Sequence, residues 1–269
     1  MVTSSSNPQM KRIVQLNKKA KTRYEQRVFV AEGIKMFQEA PKGQIETLYV
    51  SESFLAEPKN QGFLEDYSYE VVSDKVFSAV SDTKTPQGIL CLVKMPQYSL
   101  EKLLGDFNVS KNGDQPMEKC PHLLILEGIQ DPGNLGTMMR TAEGAGVTGI
   151  VMSKTTVDIF NPKVVRSTMG SLFRVPFYLA EDLAGTINFL KKQGIIMYAA
   201  HLKGKLSYDQ PDYRGACGFL IGNEGNGLTP ETAALADQYI RIPMEGRVES
   251  LNASIAAALL MYETHRQRR

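Results

Sequence analysis

Asparagine and arginine occur together in one stretch that follows an apolar segment, EGIQDPGNLGTMMRTAEGAG (127–146). The stretch predicts a strand end, a Pro-Gly turn and a helix that starts near Asn134 and carries Arg140 on its polar face. An amide can orient a substrate hydroxyl, and a permanently charged guanidinium can hold an anion. One interpretation makes Asn134 a helix N-cap and Arg140 a surface residue. The alternative is that both contact a substrate at the carboxyl edge of a sheet, where α/β proteins bind ligands.

Two further stretches place polar residues and glycines after apolar segments. The glycines of FLIGNEGNGLT (219–229) would let a ligand approach the backbone closely, or would simply form a turn. In IPMEGRVESLNASIAAALLMYE (242–263), apolar residues recur every four positions and predict a helix with Ser250 at its N-cap. Asn252 would then lie inside the first turn, where asparagine is a poor helix former. The pattern leaves open whether Ser250 and Asn252 only cap this helix or also face a ligand.

Other patterns of catalytic and metal sites are weak or missing in the sequence. GAGVTG (144–149) matches the dinucleotide pattern G-x-G-x-x-G, but it closes a predicted helix instead of following a strand, which argues against a Rossmann site. The sequence contains no Walker P-loop, zinc-protease helix or nucleophile elbow. Its three cysteines and three histidines lack the spacing of a disulfide framework or a metal site, so no metal is predicted.

Alternating elements must position the three polar stretches. Apolar runs of strand length lie at 122–129, 149–154, 195–202, 217–223 and 239–244. Helical patterns lie at 134–145, 161–173 and 183–193, with a further helix start at Thr229 and Pro230. Strands that alternate with helices predict a parallel sheet covered on both faces.

The N-terminal part predicts a smaller α/β unit. Residues 10–40 are predicted to be helical with breaks. Further strands are predicted at 45–50, within 69–82 and at 88–95. Residues 107–119 are polar and contain Gly, Pro, Asn and Asp, which is typical of a linker. We therefore predict domains at 1–106 and 120–269, joined by this linker.

The composition is that of an ordinary globular protein, with 269 residues, 42% hydrophobic and 22% charged, and a net charge of +2. No apolar run reaches the ~18 residues that cross a bilayer, and the N-terminus lacks the apolar core of a secretory signal, so a cytoplasmic protein is expected. The charge is uneven, because residues 11–27 carry seven Lys or Arg against a single acid, Glu25. Such a stretch can contact phosphates or can be a solvated helix face.

The three polar stretches, in this order and near this spacing, resemble the three motifs of the SpoU (TrmH-type) family of RNA ribose 2′-O-methyltransferases in the SPOUT superfamily. Any one motif alone is weak evidence, but together they span roughly residues 121–265 and are specific. The matching residues are N-x-G-x-x-x-R at Asn134, Gly136 and Arg140, I-G-N-E-G-x-G at Ile221–Gly227, and I-P-M with S-L-N-A-S at Ile242–Met244 and Ser250–Ser254. The segment KRIVQLNKKAKTRYEQRVFVAEGIKMFQEA (11–40) resembles, more loosely, the substrate-binding domain that precedes many such enzymes.

The resemblance implies a fold and an assembly that periodicity does not give. The family's C-terminal domain is a parallel α/β sheet whose last segment threads a loop to form a deep trefoil knot, a rare exception to the rules for chain connections. The domain that precedes it is a small α/β module similar to some RNA-binding ribosomal proteins. Family members usually form homodimers with the catalytic pocket near the interface, so a homodimer is expected.

The resemblance also implies roles for individual residues. S-adenosylmethionine would bind in the knot and contact Gly222, Ile242 and Leu251, with Met244, Glu224 and Ala200 as neighbours. Arg140 would stabilise a developing oxyanion and clamp a substrate phosphate. The residues expected to orient the ribose and Arg140 are Asn134, Ser250 and Asn252. The residues expected to contact RNA are Lys11, Arg12, Lys18, Lys19, Arg23 and Arg166.

The implied function is methyl transfer from S-adenosylmethionine to a ribose 2′-hydroxyl of RNA. Ribosomal RNA is favoured by analogy with two-domain family members that carry a basic N-terminal stretch. The alternatives are a tRNA 2′-O-methyltransferase and a methyltransferase that confers resistance to an antibiotic directed at the ribosome. Two alternatives of other classes are a non-catalytic RNA-binding protein and a nicotinamide-dependent oxidoreductase.

Overall fold

The computed structural model describes residues 1–105 and 120–269. The linker predicted at 107–119 therefore lies outside the described residues. Helices and strands alternate along the rest of the chain, which confirms the predicted α/β class. Within the two described ranges, no helix combines the length and apolar character needed to span a bilayer.

The chain forms two compact units, each made of two segments. The first unit contains residues 1–96 and 158–173. The second contains the described residues of 97–157 together with 174–269. The segment 158–173 thus belongs by contact to the N-terminal unit, although it follows the first polar motif in the sequence. The predicted domain limits remain predictions.

The first unit is built on a four-stranded sheet with the strand order β1-β4-β2-β3. Its strands are Val28–Glu32 (β1), Ile45–Ser51 (β2), Tyr69–Val72 (β3) and Ile89–Lys94 (β4). β4 runs antiparallel to β1 and β2, whereas β3 is parallel to β2. Its helices are Pro8–Lys18 (α1), Ala20–Gln26 (α2), Ile34–Glu39 (α3), Glu52–Ala56 (α4), Pro58–Gln61 (α5), Asp74–Val80 (α6) and Pro162–Ser167 (α9).

Helix α1 shows how the sequence orients the basic stretch. Asn7 caps the helix by accepting a hydrogen bond from the Gln9 N–H at 2.8 Å. Met10, Ile13 and Leu16 recur every three residues and are fully buried against the sheet of this unit. Lys11 and Lys18 lie off this apolar face and are exposed.

Two predicted helices are wrong in part. β1 lies within the predicted helical region 10–40, and all five of its residues are buried. Pairing with β4 on the sheet decides this segment, and apolar periodicity does not reveal such tertiary pairing. The helix predicted at 161–173 ends at Ser167, because Met169 and Gly170 adopt φ values of 51° and 97°, which end a right-handed helix.

The second unit is built on a seven-stranded parallel sheet with the order β7-β6-β5-β10-β8-β11-β9. Its strands are His122–Leu126 (β5), Gly149–Ser153 (β6), Phe177–Ala180 (β7), Ile196–Ala200 (β8), Leu206–Ser207 (β9), Cys217–Ile221 (β10) and Gln238–Arg241 (β11). Its helices are Leu100–Leu104 (α7), Pro132–Gly144 (α8), Leu183–Lys192 (α10), Pro230–Ala233 (α11) and Ala253–Gln267 (α12). The predicted parallel sheet is confirmed.

The interior strands of this sheet match the sequence pattern, and its edges do not. β5 and β10 are buried along their whole length, as continuous apolar runs predict. β7 and β9 were not predicted, because both are short and partly exposed. Since the strands are parallel, their carboxyl ends share one edge of the sheet. The loops after β5, β10 and β11 all leave from that edge and carry the three polar motifs.

Candidate active site

Asn134 lies in the first turn of helix α8, which follows β5. Asp131 caps this helix, since its Oδ1 accepts a hydrogen bond from the Asn134 N–H at 2.8 Å. Pro132 occupies the first helical position, where an N–H would have no partner within the helix. The interpretation of Asn134 as the N-cap is therefore wrong, and its side-chain amide is available for other partners.

One residue from each of the three motifs joins a single hydrogen-bonded network. Asn134 Nδ2 donates to Glu224 Oε1 at 3.1 Å. Asn252 Nδ2 donates to Asn134 Oδ1 at 3.0 Å. The fold thus fixes the Asn134 amide from both ends, with its carbonyl oxygen accepting from one loop and its nitrogen donating to another.

The Glu224 carboxylate anchors this network. The backbone N–H groups of Gln130 and Asp131 both donate to it, each with a contact at 3.0 Å. Burial raises the pKa of Glu224, but these two hydrogen bonds and the one from Asn134 outweigh it and hold the pKa below its ordinary value. Glu224 is therefore ionised near neutral pH, and its carboxylate accepts the hydrogen bond that fixes Asn134.

Asn252, not Ser250, caps helix α12. Its Oδ1 accepts from the backbone N–H groups of Ser254 and Ile255 at 2.8 and 3.3 Å. The prediction of Ser250 as the cap is wrong by two residues, and Asn252 does not lie inside the first turn. A single amide thus performs two tasks, because its oxygen caps the helix while its nitrogen binds Asn134.

Arg140 lies on the exposed face of α8, six residues beyond Asn134 and about 9 Å further along the helix axis. In the part of the chain that the structure describes, its guanidinium forms no hydrogen bond or ion pair. Arg140 is therefore available to an external anion. The structure does not place it among the residues that line the cavity at this edge of the sheet.

A cavity of about 750 Å³ opens where the loops after β8, β10 and β11 meet. Its volume is that of a typical site for a small ligand. All six residues predicted to contact the cofactor line it: Ala200, Gly222, Glu224, Ile242, Met244 and Leu251. Ser250 lines it as well. Across the described ranges, no group of three or more His, Cys, Asp or Glu side chains is arranged to hold a metal ion.

Gly222 is required by the protein's own backbone. A Cβ atom at this position would lie 2.1 Å from the Gly227 carbonyl carbon and the Leu228 nitrogen. The loop closes on itself here, since Asn223 and Gly227 exchange backbone hydrogen bonds of 3.0 and 2.9 Å. The closed turn, rather than close approach by a ligand, is the structural reason for glycine at this position.

Sequence reasoning missed Glu127, which anchors the exit of the same loop. Its carboxylate accepts from the Thr229 N–H at 2.8 Å, from the Thr229 hydroxyl at 2.9 Å and from the Thr232 hydroxyl at 2.5 Å. These bonds attach the start of α11 to the end of β5. An acid that directly follows the apolar run of residues 123–126 was the signal that could have identified it.

The residues of the first unit that are predicted to contact RNA differ in exposure and in whether an acid pairs with their charge. Three lysines are exposed and form no ion pair with a described residue: Lys11, Lys18 and Lys19. Arg12 and Arg166 are only partly exposed, and their guanidinium groups bind Glu46 at 2.6 Å and Asp82 at 2.9 Å. The lysines are therefore the better candidates for phosphate contacts.

The structure overturns the prediction that Arg23 binds RNA. Arg23 is only 3% exposed. Its Nε donates to Asp158 at 2.9 Å, and its Nη1 donates to the carbonyl oxygens of Leu16 and Asn17 at 2.5 and 3.2 Å. A buried guanidinium needs such a full set of acceptors. Arg23 thus holds α1 and α2 to residue 158 and offers no surface to a phosphate.

The fold built on this parallel sheet is that of a SPOUT-type α/β methyltransferase. Residues 121–262 match the SpoU rRNA Methylase family, and the chain belongs to that family. Residues 7–91 match the MRM3-like substrate binding domain. Both matches confirm the resemblance predicted from the motifs.

The similarity to known proteins covers almost the whole chain. The 23S rRNA (guanosine(2553)-2′-O)-methyltransferase RlmP of Bacillus subtilis (strain 168) is 32% identical over 263 residues, which are 97% of each protein. The structure of an AdoMet-bound rRNA methyltransferase from Sinorhizobium meliloti covers 98% of this chain and 97% of its own, with 32% identity and a TM-score of 0.81. A structure described as an RNA 2′-O ribose methyltransferase covers 99% and 98%, with 28% identity and a TM-score of 0.80.

Proposed function

We propose that this chain transfers a methyl group from S-adenosylmethionine to a ribose 2′-hydroxyl of ribosomal RNA in the cytoplasm. The observation that carries the proposal is the network of Asn134, Glu224 and Asn252, which joins the three family motifs. Glu224 also lines the cavity, so the network and the cavity share a wall. Similarity over the full length to a 23S rRNA 2′-O-methyltransferase supports the substrate class.

The residues of the cavity fit S-adenosylmethionine, which supplies an electrophilic methyl group on a sulfonium when bound. Ile242 and Leu251 offer apolar surface for a flat adenine, and Gly222 offers backbone polar groups. Ala200 and Met244 complete the apolar wall. These five residues would hold the cofactor. Glu224 contributes a wall only, because its carboxylate is bound by α8 and the loop before it.

The polar residues would act on the ribose. Formation of the bond between the 2′-oxygen and the methyl carbon would be matched by cleavage of the methyl–sulfonium bond, which would leave a neutral thioether. The hydroxyl proton would pass to water, and negative charge would develop on the 2′-oxygen as that proton leaves. Arg140 stays protonated and would stabilise this charge and hold a neighbouring phosphate. Asn134 and Asn252, each fixed by hydrogen bonds, would orient the ribose together with the Ser250 hydroxyl.

We further propose a homodimer with α8 and α12 at its interface. Ile255 and Tyr262, seven residues apart on one face of α12, are 50% and 48% exposed. A Cβ atom on Gly144 of α8 would lie 3.0 Å from the Tyr262 hydroxyl, so this apolar face continues onto α8, where Gly144 and Arg140 share a face. A second copy seated here would lie beside Arg140. Sedimentation should show a dimer that Ile255→Glu converts to a monomer.

We also propose that the chain is knotted around the cavity. The turn after β8 lies against the end of β11, since a Cβ atom on Gly204 would lie 2.6 Å from the Ile240 carbonyl carbon. The chain beyond β11 then lines the same cavity as this turn. These contacts support threading of the C-terminal segment through that loop. When both termini are pulled in a force experiment, the fully unfolded chain should show a contour length shorter than that of an unknotted chain of 269 residues.

Methyl transfer can be tested with labelled S-adenosylmethionine and unmodified ribosomal RNA, with tRNA as the alternative substrate. A 2′-O-methyl group blocks alkaline cleavage at its nucleotide, so the label should appear in an alkali-resistant dinucleotide of ribosomal RNA. Arg140→Ala should lower kcat about 10³-fold and leave the cofactor Kd nearly unchanged. Label on a base, label on tRNA alone, or a fully active Arg140→Ala would contradict the proposal.

A further inference from the structure

Two cations line the cavity without an acidic partner. Lys203 and Arg241 belong to its walls, and neither has a carboxylate within ion-pair distance in the residues that the structure describes. Elsewhere in the same unit, Lys191 binds Asp237 at 2.8 Å. Lys203 and Arg241 thus belong to a lining that also contains Glu224, Glu245 and Glu249, so the concave wall carries charges of both signs.

The backbone of the turn that carries Lys203 lies next to the backbone of Arg241. A Cβ atom on Gly204 would lie 2.8 Å from the Arg241 nitrogen, so the turn that carries Lys203 lies directly against the Arg241 backbone. His201 stabilises the turn, because its Nδ1 accepts from the Lys203 N–H at 3.0 Å and its ring stacks on Tyr239 at 5.0 Å. An anion bound between the two side chains would be attracted by both charges.

We propose that Lys203 and Arg241 bind the carboxylate of the methionine part of S-adenosylmethionine. The inference rests on the proposed function, since it names an unassigned part of the same cofactor site. None of the six predicted cofactor residues carries a positive charge, so the carboxylate would otherwise lack an ionic partner. Glu245 and Glu249 also line the cavity and offer the opposite charge to the ammonium group of the same tail.

Calorimetry on the full chain can isolate the carboxylate. The two ligands are S-adenosylmethionine and decarboxylated S-adenosylmethionine, which lacks only that group. Lys203→Gln should weaken binding of the first about 5- to 20-fold and leave binding of the second within about twofold. Arg241→Gln should show the same selectivity. Lys205→Gln is the matched control, because Lys205 is exposed in the same turn but does not line the cavity.

Three outcomes would overturn the inference. Lys203→Gln could weaken the binding of both ligands equally. It could leave both affinities unchanged, and a KM for RNA that rises at the same time would assign the cations to an RNA phosphate. Lys205→Gln could reproduce the loss. Failure of the unaltered chain to bind S-adenosylmethionine would instead contradict the proposed function itself, so the two failures are distinguishable.

Discussion

The carboxyl edge of the seven-stranded sheet and the basic stretch of α1 and α2 both concentrate polar side chains, but they use them differently. At the sheet edge, Asn134, Glu224 and Asn252 bind one another and leave few free groups. Along α1, Lys11 and Lys18 form no ion pair with a described residue, whereas Arg23 of α2 is buried and fully bound. Basic residues therefore divide according to burial into anchors, which are buried and hold the fold, and contacts, which are exposed and can bind RNA. A count of charges in the sequence does not separate the two.

The largest effect is expected at Arg23. Arg23→Ala should lower the free energy of unfolding of the first unit by about 3–5 kcal/mol, because it leaves the Asp158 carboxylate, whose side chain is 15% exposed, without its cation. Urea unfolding and hydrogen exchange in β1 measure this. The double variant Arg23→Met/Asp158→Leu should recover much of the loss. A loss below about 1 kcal/mol for Arg23→Ala would remove the distinction between anchors and contacts.

His122 is a second buried ionisable group, and its side chain has a polar atom that no described residue pairs. Burial, followed by the charge of Arg268, lowers the pKa of His122 to about 3 from 6.5, and no residue in the described ranges forms a hydrogen bond with its Nε2. Because the folded pKa is lower, the unfolded chain takes up the proton first, and stability falls as the pH drops from about 6.5 towards 3. At pH 4 the loss should be about 3 kcal/mol.

His122→Phe should remove this acid sensitivity. The measurement is the free energy of unfolding at pH 7 and pH 4, for the variant and for the unaltered chain. The difference between the two pH values should be about 3 kcal/mol smaller in the variant. Equal pH dependence in both proteins would show that His122 is protonated, or partnered by water, in the folded state.

The sequence predicted those parts of the fold that depend on continuous apolar pattern. β5 and β10 are buried along their length and were found, whereas β1 was taken for a helix because its pairing with β4 is tertiary. The end of α9 was missed for a related reason, since nothing in the residue type of Met169 requires its positive φ.

The candidate site was predicted through motif spacing, which places residues on the same sheet edge but does not state which atoms bind. Asn252 illustrates the gap, because its role as cap depends on where α12 begins, and that point was misplaced by two residues. Glu127 was missed because the two threonines that supply its three donor groups lie about a hundred residues away. Roles for the site residues thus remain predictions that variants must decide.

A smaller effect is expected at Glu224, and it should fall on catalysis rather than on folding. Glu224→Gln replaces an acceptor oxygen with a donor nitrogen opposite the N–H groups of Gln130 and Asp131, so Asn134 should lose its fixed orientation. We expect kcat to fall about 10- to 100-fold. Glu231→Gln, an exposed acid on α11, is the control. An unchanged kcat would mean that the network serves only to join the loops.

The smallest effect is expected at Lys18, an exposed residue that is expected to contact RNA. Lys18→Ala should change stability by no more than about 0.5 kcal/mol, because the side chain is exposed and unpaired. If Lys18 neutralises one phosphate, the slope of log affinity for RNA against log salt should decrease by about 0.7–0.9. Lys75→Ala on α6, exposed but outside the basic stretch, should leave the slope unchanged. Equal slopes for both variants would make the basic stretch a solvated helix face. The first unit would then have to bind RNA through another surface.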